Sequence, residues 1–187
     1  YNPRTLKPTI PSSIKSITLL YKDIQYQIAE MGSYGAYLTL LSVLIQLELL
    51  KRASSSEKYR CIVKNAITNI ERFIQIMKTE LNINVKSTAT IREHSSHKVQ
   101  KMIDYLQNAF TNSDREKDMQ CLIFCKRRST AKALYHIIKY YGDYSIKECV
   151  QNFPIKPDFV VGLNKDLPSD IENIISQSFN RNAIEKF

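Results

Sequence analysis

The chain has 187 residues, 43% of them hydrophobic, and its 27 Lys and Arg against 18 Asp and Glu give a net charge of +9. That supplies the cores of one or two domains, and four cysteines without zinc-ligand spacing speak against a structural zinc module. The basic balance, with a sequence pI of about 9.3, suits a polyanionic partner such as nucleic acid, and equally a soluble domain with surplus lysine.

Residues 1–11 are proline-rich and read as a linker. Ser12 and Ser13 can cap a helix carrying Ile14, Ile17, Leu20, Tyr21, Ile24 and Ile28, with Gly32 ending it. A second helix follows through Leu38, Leu41, Leu44, Ile45 and Leu49 to Lys51 and Arg52, cations that suit a helix C-terminus. Ala36–Leu50 is the most apolar run, but Gln46 and Glu48 interrupt it and it is short for a membrane span. Ser54-Ser-Ser56 before Glu57 opens a third helix, with Tyr59, Ile62, Val63, Ala66, Ile67, Ile70, Phe73, Ile74, Met77 and Leu81 at helical spacing. Residues 12–91 are therefore expected to form an all-α unit, and Asn82–Glu93 reads as a loop at its boundary.

Residues 92–187 are expected to be α/β. Ser95 or Ser96 caps a helix with Val99, Met102, Ile103, Leu106 and Phe110, and a polar stretch, Thr111–Asp118, follows. Cys121-Leu-Ile-Phe-Cys125 is a continuous apolar run of strand length, as in a strand buried on both faces of a parallel sheet. Lys126, Arg127 and Arg128 come next, Ser129 and Thr130 are suitable N-caps, and Leu134, Ile137, Ile138 and Tyr141 form a helical stripe. Three cations at a strand–helix junction suit phosphate, because side-chain charge and free helix N–H groups converge there. A loop around Gly142, a second strand at Asp158–Gly162 and a helical segment from Pro168 complete the alternation. Cys61, Cys121, Cys125 and Cys149 lie in apolar or strand-like surroundings and are expected to be buried, reduced thiols. The chain begins at Tyr1 without a signal-peptide pattern and stops at Phe187 inside a helical pattern, so it reads as a piece of a longer protein.

These segments resemble the helicase region of Dicer ribonucleases, most closely the insect type that makes small interfering RNAs. Glu30-Met-Gly-Ser-Tyr-Gly-Ala-Tyr-Leu-Thr-Leu-Leu-Ser-Val-Leu-Ile45 resembles the central helix of the helical insertion in the second RecA-like lobe. Ser96-His-Lys-Val-Gln100 with Met102-Ile-Asp-Tyr-Leu106 resembles the helix that opens that lobe, and Leu122-Ile-Phe-Cys-Lys-Arg-Arg-Ser-Thr-Ala131 resembles its motif IV. Phe159-Val-Val-Gly-Leu-Asn164 is similar to the next strand and RNA-facing loop, and Ala183-Ile-Glu-Lys-Phe187 to the helix before motif V. The resemblance implies an all-α insertion followed by a partial RecA-like lobe in a cytoplasmic protein of RNA interference and antiviral defence. It implies a grip on double-stranded RNA during ATP-dependent translocation, a double-stranded-RNA-binding-domain partner and no membrane association. The Gly-x-x-x-x-Gly-Lys-Ser/Thr loop and the ribonuclease III carboxylate clusters do not occur in these residues, so no cofactor is expected here; ATP and Mg²⁺ belong to the parent enzyme.

Lys126, Arg127 and Arg128 are the candidate contacts to RNA phosphate, with bracing of the fold by an arginine–carboxylate pair as the competing role. Gly162 and Asn164 are further candidates, through close backbone approach and an amide bond to ribose or phosphate; an ordinary turn is the alternative. His94 and His97 have a loose metal-like spacing without supporting ligands. Tyr34, Tyr37, Tyr140, Tyr141 and Tyr144 suit base stacking or plain core packing. Lys58, Arg60, Lys64, Arg72 and Lys78 suit a solvated helix face. Two other functions stay open: a protein-docking module with little RNA contact, and an innate-immune RNA helicase without nuclease.

Overall fold

The computed structural model describes residues 10–53, 56–111, 120–149, 153 and 155–160. Five helices occupy them: α1 (Ile10–Ala53), α2 (Glu57–Glu80), α3 (Thr88–His94), α4 (His97–Thr111) and α5 (Arg128–Glu148). They fall into two compact units, Tyr1–Val85 and Lys86–Phe187.

In the first unit α1 is two arms joined at Gly32, whose φ of 79° and ψ of −175° are non-helical. Ile17, Leu20, Tyr21 and Ile24 of the first arm line one small hollow with Leu47 of the second and Ala66 and Ile70 of α2. A straight helix rising about 1.5 Å per residue would hold Ile24 and Leu47 roughly 34 Å apart. The chain therefore doubles back at Gly32, and α1 with α2 makes the three-helix arrangement expected from the periodicity. Ile17–Leu49 has the length and a mean hydropathy, 1.4, that could cross a membrane, but the Gly32 reversal divides it.

Local chemistry explains the boundaries of α2. Ser56 caps it, its side-chain oxygen accepting from Tyr59 N–H. At the other end Asn82 adopts a left-handed φ of 49°, and Ile83 N–H donates back to Met77 C=O at 3.4 Å. That closure turns Ile83, 1% exposed, under the helix end. Tyr59, Val63, Ala66, Ile67, Ile70, Ile74 and Met77 form the buried stripe facing Ile24, Met31, Leu40, Val43 and Leu47.

The second unit departs from the α/β expectation. Among the described residues there is no strand and no sheet, so the parallel RecA-like lobe is not formed there. The apolar run Cys121–Cys125 is irregular: Leu122 is 73% exposed, Ile123 43% and Phe124 93%. A strand needs a ladder of backbone partners, and among the described residues none pairs with this run. Residues 158–160 are likewise irregular, and Phe159 is placed by its ring contact with Tyr135, centroids 5.1 Å apart. Residues 161 and 162 of the second expected strand, and the helix expected from Pro168, lie outside the described residues.

Three further corrections follow. Part of the expected boundary loop is helix α3: Ser87 caps it by accepting from Thr90 N–H at 3.1 Å, and Ile91 is fully buried. Gly142 lies inside α5 rather than in a loop; a β-carbon there would sit 3.3 Å from Phe153, so the glycine seats that buried ring. The thiols are not buried, since Cys61, Cys121 and Cys149 are exposed and Cys125 is half-buried.

Candidate nucleic-acid interface

The basic junction sits at the start of α5. Arg127 is the N-cap residue in extended conformation (φ −124°, ψ 148°), and it makes no side-chain cap bond. Arg128 is the first helical residue, so Ser129 and Thr130 fall inside the first turn instead of capping it. Lys126 is exposed, and Arg127 and Arg128 are half-buried. No acidic residue occupies the first turn. Cations at a helix N-terminus face the positive end of the helix dipole, at a cost of roughly 0.3–1 kcal/mol each, which a bound anion reverses. Gly162 and Asn164 lie outside the described residues.

The junction continues along α5. Arg128, Lys132, His136 and Lys139 follow at spacings of four, four and three, so they share one face. The face opposite carries the buried Ala133, Leu134, Ile137, Ile138 and Tyr141. About 16 Å separate Arg128 from Lys139 along the axis at the ordinary helical rise. Lys98, at the start of α4, adds a cation: its charge acts on the Cys125 thiol beside Lys126. Burial pushes that thiol up, and Lys98 partly opposes the shift. The sequence pattern exposes the 128–132–139 spacing once the helix is known, but Lys98 is brought in by tertiary packing alone.

His136 stacks on Tyr140, centroids 5.6 Å apart, and Tyr140 on Tyr144 at 6.1 Å, a row that leads from the basic face at His136 round to the buried Tyr144. Its Nδ1 is buried without a hydrogen bond. Desolvation, with the charges of Lys132 and Lys139, holds His136 below its ordinary 6.5. The unfolded chain therefore binds this proton more readily than the folded one. The associated stability is complete above pH 6.5 and declines as pH falls through the unfolded value toward the lower folded one. Thermal melts from pH 7.5 to 5 are expected to show that decline, and His136→Phe, which keeps the stack, should flatten it.

Bonds between helices hold α5 in place. Glu148, at its C-terminal end, accepts from Thr88 N–H at 3.0 Å and Thr88 Oγ1 at 2.5 Å, so it caps α3 across the unit. Arg92 of α3 bonds Tyr141 of α5 and Asp104 and Gln107 of α4. Among the described residues no group of three or more His, Cys, Asp and Glu converges as a metal set, and His94 and His97 belong to none. No protein-family model matches this chain, and no curated protein matches it.

Proposed function

We propose that this chain belongs to the double-stranded-RNA-handling helicase region of a Dicer-type ribonuclease that makes small interfering RNAs, acting in the cytoplasm. Its part in that work is to grip the duplex backbone. The observation that carries this reading is the basic face of α5: Lys126, Arg127 and Arg128 at the helix entrance, continued by Lys132 and Lys139, with no acid in the first turn. A-form RNA is recognised mainly through phosphates, 2′-hydroxyls and shape, and a linear row of cations suits such contacts better than base reading. ATP and Mg²⁺ would be held by other parts of the parent enzyme, since the phosphate-cradling loop is absent from these residues.

Duplex-RNA affinity measured against salt concentration tests the grip. Lys126→Ala with Arg128→Ala is expected to weaken binding and to lower the slope of log affinity on log salt by about one unit per lost phosphate contact. An unchanged slope and affinity would remove these two residues from the interface.

A second reading, protein docking, has its own observation. Phe73 and Ile76 of α2, three residues apart on one face, are 39% and 53% exposed. Exposed apolar neighbours on a helix suit a partner's apolar surface. Phe73→Ala with Ile76→Ala should abolish nuclease-resistant capture of a double-stranded-RNA-binding-domain protein; capture at wild-type level places docking elsewhere.

A further inference from the structure

We propose that the exposed face of α4 is a second RNA contact, at which an unpaired nucleotide stacks on Tyr105 while Lys98 and Lys101 hold its strand. The inference rests on the reading of this unit as RNA-binding, and adds a single-stranded segment to the duplex as ligand. Val99, Ile103 and Leu106 are the buried stripe of α4. On the other side Lys98, Lys101, Tyr105 and Asn108 follow at spacings of three, four and three, so they share one face, and all four are exposed. Tyr105, at 67%, is the most exposed tyrosine among the described residues. The tyrosines that sequence alone suggests for stacking are less available: Tyr34, Tyr141 and Tyr144 are buried, and Tyr37 and Tyr140 are half-buried.

The chemistry of this face selects the occupant. A ring standing in solvent offers its π-face to a base, and bases inside a duplex are already stacked on their neighbours, so an unpaired nucleotide is what fits it. Lys101 lies about one helical turn before the ring and Lys98 about one turn further back, where ammonium groups meet phosphates of the same strand. Asn108, about a turn beyond the ring, offers an amide to a ribose or a base edge. Asp104 is the sole acid of α4, and its carboxylate accepts from Arg92 Nη1 at 2.6 Å, so the face keeps a positive balance. A protein partner fits less well, because interface cores favour tyrosine but exclude lysine, and no other exposed residue of α4 is apolar. Lys98 joins this row to the entrance of α5, since its charge acts on the Cys125 thiol beside Lys126. One RNA with a duplex and a single-stranded tail can therefore engage both helices.

The test uses the whole chain and three RNAs: a blunt duplex, the same duplex with a single-stranded uridine tail, and the tail strand by itself. The tailed duplex should bind more tightly than the blunt one. Tyr105→Ala should remove that gain, about tenfold for one stacked base, and leave blunt-duplex affinity and circular dichroism unchanged; Tyr105→Phe should keep it. Lys101→Ala should lower the salt slope for the tail strand by about 0.7 unit. The chain has no tryptophan, so Tyr105→Trp places a single indole at the site. Its fluorescence should be quenched by the tailed duplex and by the tail strand, and not by the blunt duplex. Equal affinity for tailed and blunt duplexes overturns this proposal and leaves the α5 grip standing, whereas binding of none of the three RNAs overturns both. Binding of the tail strand without the blunt duplex supports the α4 contact and removes the α5 grip. A tail gain that survives Tyr105→Ala, or an indole that the tail leaves unquenched, overturns the stacking role.

Discussion

Replacing Gly32 by alanine is expected to destabilise the three-helix unit by about 1–3 kcal/mol, the cost of holding an L-residue in a conformation that only glycine adopts freely. The cause is the pair φ 79°, ψ −175°. Positive φ alone would admit asparagine, which tolerates the compact left-handed region near φ +57°, ψ +47°. At ψ near 180° that tolerance is lost, so Gly32→Asn should be about as damaging as Gly32→Ala. The loss should spread beyond the turn, because the reversal is what brings Ile17, Leu20 and Ile24 against Leu47, Ala66 and Ile70. Segment-resolved hydrogen exchange on the whole chain is the suitable measurement. Residues 17–49 and 59–77 should lose protection together while α5 keeps its own. If Gly32→Asn exchanges like wild type, the turn is not held in the conformation described.

The helices of the first unit were legible because their signals are local. Apolar spacing near 3.6, the serines before Glu57, the glycine at 32 and the lapse at Asn82 each act within a few residues. The second unit misled for the same reason. A continuous apolar run such as Cys121–Cys125 specifies burial but not what buries it, and a strand exists only when another segment supplies its ladder. Its exposure was therefore not readable from its own residues. A glycine in a helical pattern reads as a stop, but Gly142 lies inside α5, where a β-carbon would come within 3.3 Å of the Phe153 ring, eleven positions on. Helix α3 is short and rich in β-branched threonine, a composition with weak helical preference; Ser87 and the distant Glu148 define its start. Within the candidate interface, the cluster Lys126–Arg128 was readable from adjacency. The contribution of Lys98 depends on how α4 lies against the segment before α5.

That placement rests on Arg92, and Arg92→Ala is expected to cost the second unit about 2–4 kcal/mol, since hydrogen bonds to a charged group contribute about 1.5–3 kcal/mol and abandoned partners add a penalty. Its Nε donates to Tyr141 Oη at 2.9 Å, Nη1 to Asp104 Oδ1 at 2.6 Å and Nη2 to Gln107 Oε1 at 3.1 Å. The guanidinium also lies 5.2 Å from the centre of the Tyr141 ring. Its backbone carbonyl accepts from Gln100 Nε2 at 2.6 Å, which fixes the corner between α3 and α4. Burial works against the charge, but the bonds to Asp104 and Tyr141 outweigh it and hold the group above its ordinary range. The ion pair with Asp104 is the lesser part: those side chains are 35% and 52% exposed, and such pairs contribute at most about 1 kcal/mol. Asp104→Asn should therefore be mild. Arg92→Lys should recover little of the loss, because a point charge on a flexible stem cannot reach three acceptors on two helices. Chemical denaturation of the three variants gives the order Asp104→Asn, Arg92→Lys, Arg92→Ala in increasing damage. Under the proposed RNA grip, duplex-RNA affinity should fall in the same order, because α4 carries Lys98 and α5 carries Lys132 and Lys139. A lysine variant as stable as wild type would reduce the three-helix junction to a single surface ion pair.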